Sequence, residues 1–321
     1  MADAVIVSTA RTPIGRAFKG TLVDVDPFVL GEHVVKAAVE RSGLDPMLLD
    51  DIILAESMHG GGDIARYVAI EAGLGHVPGA AVNRHCAAGL TALTIAAGSI
   101  RAGMDRAQIV GGTHSQSTSP RLTVREPGTD DWIGWMSPSH RETPQAPAFD
   151  MSITVGWNTA VEAGISRERM DAWACRSHER AIAAIDEGRF DDEIVPIEVK
   201  GPSGATLFTV DEHPRRATSL ESLAALPPLH PEIEGFSITA GNAAGLNDGA
   251  AALVITDRAL ADAEGLHYVY IGNVPGHPAE STYCPHCKKK VVDRTGYTIA
   301  GLYIHHGKCQ FCRTPIPGVW G

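Results

Sequence analysis

The sequence has no apolar run approaching the roughly 20 residues that a membrane-spanning helix requires. Its N-terminus, MADAVIVSTARTPIG, also lacks the basic segment and long apolar stretch of a secretory signal, so a cytoplasmic protein is expected. No long basic run occurs, and the net charge is -11, which argues against a nucleic-acid or membrane surface as partner. Cysteine is scarce. Six thiols are too few for a disulfide scaffold, and four of them crowd between positions 284 and 312, which suits metal ligation in a reducing compartment. Cys86 and Cys175 stand apart from these.

With 44% hydrophobic and 20% charged residues the chain can bury at least one large core, and its length predicts two folded units. Strand-like and helix-like segments alternate: strands at 4–8, 51–55, 80–85 and 107–115, and helices at 28–42, 65–74 and 87–102. Such alternation predicts an α/β fold with helices on both faces of a sheet. Residues 113–152 are rich in Ser, Pro, Thr, Trp and Arg without sustained period, and read as an excursion suited to a lid or binding loop. From Ser166 a helix resumes. After about 265 the composition changes abruptly, so residues 1–264 and 265–321 are expected to be separate domains, the first carrying an excursion at about 113–235.

Cys86 opens the stretch CAAGLTALTIAAGSI, which has no charge before Arg101. A thiol at a helix start meets unpaired N–H groups and the positive end of the dipole, conditions that favour the nucleophilic thiolate. The uncharged helix predicts burial nearly all round, with Cys86 at a buried entrance beside a cavity of thioester size. The bland alternative is an inert structural cysteine. His85 beside it is no evidence of a dyad, because adjacent side chains generally point apart.

Five separated blocks carry a further signal: STARTPIGRAFKG at 8–20, NRHCAAGLTAL at 83–93, GISRERMDAWACRSHERA at 164–181, GRFDDEIVPI at 188–197 and ITAGNAAGLNDGAAALVI at 238–255. In order and spacing they resemble the thiolases, enzymes of the acetyl-CoA C-acyltransferase type. The resemblance implies a thiolase-like half built on a mixed five-stranded sheet. Cys86 would accept the acyl group of an acyl-CoA as a thioester, with coenzyme A as co-substrate. Ala240, Ala243 and Ala244 would line the pantetheine pocket. Where many thiolases have a serine, this chain has Ala244. Met151 would pack near the reactive centre, or simply fill a gap in the core. Arg215 and Arg216 fall in a block near the CoA-binding loop, with a surface salt bridge as the alternative.

The resemblance stops near residue 264. Of the Asn-Glu-Ala-Phe, Gly-His-Pro and Cys-Gly-Gly segments that it implies for base and acid, the first and last do not occur in these 321 residues, and Gly276-His277-Pro278 lies in a foreign context. Acyl transfer is therefore expected to be impaired. The bare helix after Cys86 should lose its cover and expose an apolar patch, predicting a homo-oligomer or a partner chain over that face. A non-catalytic thiolase-like scaffold is the competing reading.

Cys284-Pro-His-Cys287 and Cys309-Gln-Phe-Cys312 form two C-x2-C knuckles. That spacing predicts a zinc ribbon whose four thiolates fill every coordination position, making the metal structural. Iron in a rubredoxin-like site fits the same ligands, and idle or disulfide-bonded thiols are the remaining alternative. Tyr297 to Tyr303 supplies β-forming residues between the knuckles. Residues from about 265 onward resemble the C-terminal tail of the AmmeMemoRadiSam radical SAM enzymes. The C-x3-C-x2-C motif of their cluster is absent, so no radical chemistry is implied.

Overall fold

The structure is a computed structural model that describes residues 3–57, 59–201, 204–264, 281–295 and 298–316. The domain boundary expected near 265, the His277–Pro278 dipeptide and Tyr297 lie outside the described residues. The elements begin β1 (Ala4–Arg11), β2 (Gly15–Arg16), α1 (Pro27–Ser42), β3 (Asp51–Ala55), α2 (Ile64–Glu71), β4 (Gly79–Val82), α3 (Ala88–Ala102) and β5 (Ala107–Ser115). Then come the hairpin β6 (Leu122–Arg125) and β7 (Trp132–Trp135), α4 (Asn158–Glu162), α5 (Arg167–Asp186), β8 (Ile197–Gly201) and β9 (Gly204–Phe208). After α6 (Leu220–Ala224), β10 (Asn247–Asp257) and α7 (Arg258–Ala263), a small module holds β11 (Thr282–Tyr283), β12 (Lys290–Thr295), β13 (Thr298–Leu302), β14 (Ile304–His305) and β15 (Lys308–Cys309).

The chain divides into two compact units, one of residues 1–12, 26–114 and 249–321, the other of 13–25 and 115–248. In the first, the sheet order is β1-β10-β5-β3-β4; β3 runs parallel to β4 and β5, and β1 runs antiparallel to β10. This is the expected mixed sheet, extended by the two-residue β2 on the second unit's end of β10. Alternation along the strands separates two apolar faces. Ile53, Val110 and Ile255 pack against Ala92, Ala96 and Ile100 of α3. On the other face lies α1, started by Asp26, whose side chain accepts the Phe28 N–H at 2.8 Å, and stopped by Gly43 at φ 67°. Gly31 of α1 lets it approach closely: a Cβ there would fall 2.9 Å from Val68 on α2 and 3.2 Å from Thr113 on β5. Helices thus cover both faces.

The second unit is organised around α5, which Ser166 caps by accepting the Arg169 N–H. Segment 13–25 is tied into it by Asp211, which accepts the Ile14 N–H at 2.8 Å, and by Glu212, which takes the Thr21 N–H and hydroxyl. Residues 113–152 contain more order than their composition predicts, because β6 and β7 pair as an antiparallel hairpin. Every residue of its two strands is exposed, so no burial pattern marks it in the sequence. Among the described residues no helix is long and apolar enough to cross a membrane.

Candidate active site and metal centre

The parallel strands β3, β4 and β5 end on one edge of the sheet, where open α/β sheets place ligands. Cys86 lies there, in the turn from β4 into α3. Asn83 shapes that turn: its Oδ1 accepts the His85 N–H at 2.9 Å, and its Nδ2 donates to the Ser57 carbonyl at 3.2 Å. His85 sits at φ 47°, a left-handed conformation uncommon outside glycine. The Ala88 N–H donates to the His85 carbonyl at 3.0 Å, and no side chain caps α3. The thiol therefore stands two residues before an uncapped helix N-terminus, where a negative charge is favoured.

The expectation of a buried entrance is corrected here, because Cys86 is exposed. The helix after it is not buried all round either. One face packs on the sheet, while Leu90 and Ile95 on the other are 59% and 44% exposed. The physical reason is that α3 has a single layer beneath it, and its Leu, Ile, Thr and Gly residues on the far side meet no second layer among the described residues. The apolar patch expected from the missing segments is thus present.

Three residues absent from the sequence-based site join this edge. Ser57 Oγ lies 3.0 Å from His114 Nδ1, and the buried His59 ring meets His114 edge-on at 5.5 Å between centroids. They come from loops or ends of different strands, 57 residues apart for Ser57 and His114, so no local motif announces them.

The second unit carries the other expected substrate-binding residues. Ala240, Ala243 and Ala244 gather on one turn, with Ala240 and Ala244 exposed and Ala243 half-buried. Asn242 organises it, accepting the Thr239 N–H at 2.8 Å and donating to Ser237 O at 3.0 Å and to Asp171 Oδ1 at 2.9 Å. Asp171, buried on α5, also pairs with Arg167 at 2.7 Å, and Arg167 in turn donates to the Leu223 and Leu226 carbonyls. An open pocket of about 620 Å³ flanks this anchor, lined by Ile165, Arg169, Met170, Trp173, Arg176 and Asn242 among others. The sequence reading missed Asp171, Arg167 and Asn242.

Met151 is exposed at the head of a π-helical segment, Ser152–Trp157. That segment packs against residues leading into the turn, since Trp157 and Phe236 rings lie 5.3 Å apart and a Cβ on Gly156 would come 3.2 Å from Ile238. Arg216 makes a bidentate pair with Asp186, at 2.8 and 2.6 Å. Both partners are more than half exposed, so the pair adds little stability. Arg215 is exposed, and its N–H donates to His178 Nδ1 at 3.1 Å.

Beneath the turn, His213 packs where a Cβ on Gly245 would lie, 1.9 Å from its ring, and it stacks on His178 at 6.5 Å. Burial, together with the Arg215 charge, holds both imidazoles below their ordinary value of 6.5. A depressed folded-state value means that the contribution to stability is present above pH 6.5 and lost as the pH falls through the folded value. The second unit is expected to lose stability on acidification, and His213→Gln to reduce that loss; equal acid sensitivity of parent and variant in urea titrations would refute this assignment.

In the C-terminal module the four ribbon cysteines do come together, their sulfurs all within 4.8 Å of one another. Cys284 and Cys312 are 3.5 Å apart and Cys287 and Cys309 3.7 Å. A tetrahedral site with Zn–S bonds of 2.3 Å has sulfur–sulfur edges of about 3.8 Å, so the donor set fits such an ion. The knuckles match each other in detail. Cys284 N–H donates to Lys289 O and Cys309 N–H to Thr314 O, at 2.8 and 2.9 Å. Lys288 and Arg313, each following a second cysteine, take φ 59° and 64° and donate back to Cys284 and Cys309. The hydroxyl and N–H of Thr314 bring the Cys312 thiol down to about 5, favouring the thiolate that a metal needs.

With fold and sites in place, the comparisons identify the class. Residues 4–259 match the family described as thiolase, N-terminal domain. The chain is 39% identical over 277 residues to acetyl-CoA acetyltransferase of Pseudomonas aeruginosa, covering 83% of this chain and 69% of that one. It is 37% identical over 281 residues to 3-ketoacyl-CoA thiolase of Bacillus subtilis, with 83% and 68% covered. The crystal structure of Bacillus anthracis acetyl-CoA acetyltransferase superposes with a TM-score of 0.71 at 32% identity, again over 83% and 68%. This chain belongs to the thiolase family, whose N-terminal domain it matches over residues 4–259.

Proposed function

We propose that this chain carries out thiolase-type acyl transfer by forming a thioester on Cys86. The Cys86 thiolate attacks the carbonyl carbon of an acyl-CoA, the carbon–sulfur bond to CoA breaks, and CoA leaves as a thiolate that takes up a proton. The observation that carries this reading is an exposed thiol at an uncapped helix N-terminus, on the ligand-binding edge of a thiolase sheet. In this proposal the turn of Ala240, Ala243 and Ala244 receives the pantetheine arm, with Met151 and Arg216 contributing to the substrate surface. Asn-Glu-Ala-Phe and Cys-Gly-Gly do not occur in these 321 residues and Gly276-His277-Pro278 lies in a foreign context, so the proposal includes impaired transfer: loss of one such group slows the thioester step by about two to four orders of magnitude, and condensation is not supported.

Zinc at Cys284, Cys287, Cys309 and Cys312 is proposed as a structural ion in the ribbon domain of residues 265–321, with iron as the rival metal. A reducing, cytoplasmic setting is part of the same proposal. The exposed Leu90 and Ile95 favour a second copy or a partner chain over α3, and support the alternative reading as a non-catalytic, zinc-containing scaffold for association. Incubation with acetyl-CoA followed by intact-mass measurement separates the two. An acetyl adduct that disappears in Cys86→Ser supports acyl transfer; no adduct on the parent chain leaves the scaffold.

A further inference from the structure

We infer that Asn83 is a positioning residue for Cys86. The inference rests on Cys86 being the nucleophile and adds the device that aims it. The backbone closes the turn across His85 with the Ala87 N–H bond to the Arg84 carbonyl at 3.1 Å, and the Asn83 carboxamide is the side chain that holds the left-handed histidine one residue before the thiol. An L-residue holds that conformation only at a cost, and the Asn83 Oδ1 bond to the His85 N–H is a side-chain contact that offsets it. The same side chain then fixes the turn in space, because its Nδ2 grips the Ser57 carbonyl in the loop after β3. One amide thereby links the nucleophile's turn to a neighbouring strand end and sets the entry of α3, whose first turn must point at the sulfur for its dipole to act.

A geometric role of this kind makes a graded demand on position 83. Alanine removes both bonds. Serine retains an acceptor able to take the N–H two residues on, the ST-turn counterpart of the Asx-turn, but cannot reach the Ser57 carbonyl with an amide. Aspartate would retain the acceptor and set a second negative charge beside the thiolate, which makes it a poorer control than serine.

The test measures alkylation of Cys86 by iodoacetamide near neutral pH in the full chain, read on the peptide containing residue 86 so that the other five thiols do not interfere. Asn83→Ala is expected to slow alkylation of Cys86 by about threefold to tenfold, with unchanged hydrogen-exchange protection of Ile53 and Val110, in the same unit, as the control for unfolding. Asn83→Ser is expected to recover most of the parent rate. Equal rates in parent and Asn83→Ala overturn the inference, as does a loss in Asn83→Ala that serine does not recover at all. Should alanine unfold the chain, the parent and serine comparison still decides, since a serine rate as low as that of denatured protein would refute the turn-holding role. No acyl-CoA enters the measurement, so a failure of acyl transfer shows in the acetyl-adduct experiment and a failure of the clamp shows here.

Discussion

Removal of metal by a strong chelator is expected to unfold the module of residues 281–316 while the sheet of the first unit stays folded. The module's own core is small: Val291, Val292, Ile304 and Ile316 around Cys284 and Cys309. Six buried residues cannot offset the ordering entropy of some three dozen, and domains of this size depend on a staple. A structural zinc site supplies on the order of 10 kcal/mol in comparable small modules. The sheet has no such dependence, having its own extended core from Val5 through Ile255. Hydrogen exchange reads both at once. Loss of protection at Val291 and Val292, with Ile53 and Val110 unchanged, is the expected result, and Cys309→Ser should reproduce it without chelator. Full protection in protein shown by mass to carry no metal would rule out a structural ion. Metal analysis of untreated protein then distinguishes one zinc per chain from iron, which unlike zinc changes oxidation state.

The contrast between what could be read in the sequence and what could not has a physical origin. The cysteine cluster was legible because four identical donors stand at short, repeated spacings. The sheet was legible because its strands are buried and β-rich, and helix α1 because Asp26, Pro27 and Gly43 punctuate it. The burial of Cys86 was misjudged because an uncharged helix says only that it wants covering on all sides, not that cover is present. Ser57, His59 and His114 were invisible for a different reason: parallel strands bring their ends together across long stretches of sequence, and no period or motif encodes that meeting. Asn242 and Asp171 each stand inside a block that carries the resemblance, 238–255 and 164–181, but neither block encodes their meeting across 71 residues. In the structure Asp171 is 4% exposed.

That burial makes Asp171→Ala the substitution with the largest expected effect on the second unit. The carboxylate accepts from Arg167 Nε and Asn242 Nδ2, and its removal strands a guanidinium that is only 22% exposed. Removing one partner of a buried pair costs about 3–5 kcal/mol, because the remaining charge keeps its desolvation penalty without its counter-ion. The two carbonyls of Leu223 and Leu226 still accept from Arg167, which places the expected loss near 3 kcal/mol, the low end of that range. Asp171→Asn keeps the shape and one acceptor, and is expected to cost about 1–2 kcal/mol. Tryptophan fluorescence suits the measurement, since Trp132, Trp135, Trp157 and Trp173 all belong to this unit. The consequence for substrate follows from Asn242. Once its Asp171 contact is gone, the turn of Ala240, Ala243 and Ala244 loses its side-chain tie to α5 and keeps bonds within residues 237–243 and the Leu229 N–H bond to the Ile238 carbonyl, so under the proposed function it should move more freely and bind the pantetheine arm less well. Asn242→Ala should therefore weaken CoA binding like Asp171→Ala while costing less stability, because it leaves the Arg167 pair intact. An unfolding free energy for Asp171→Ala within about 0.5 kcal/mol of the parent would show that the buried pair does not anchor the turn.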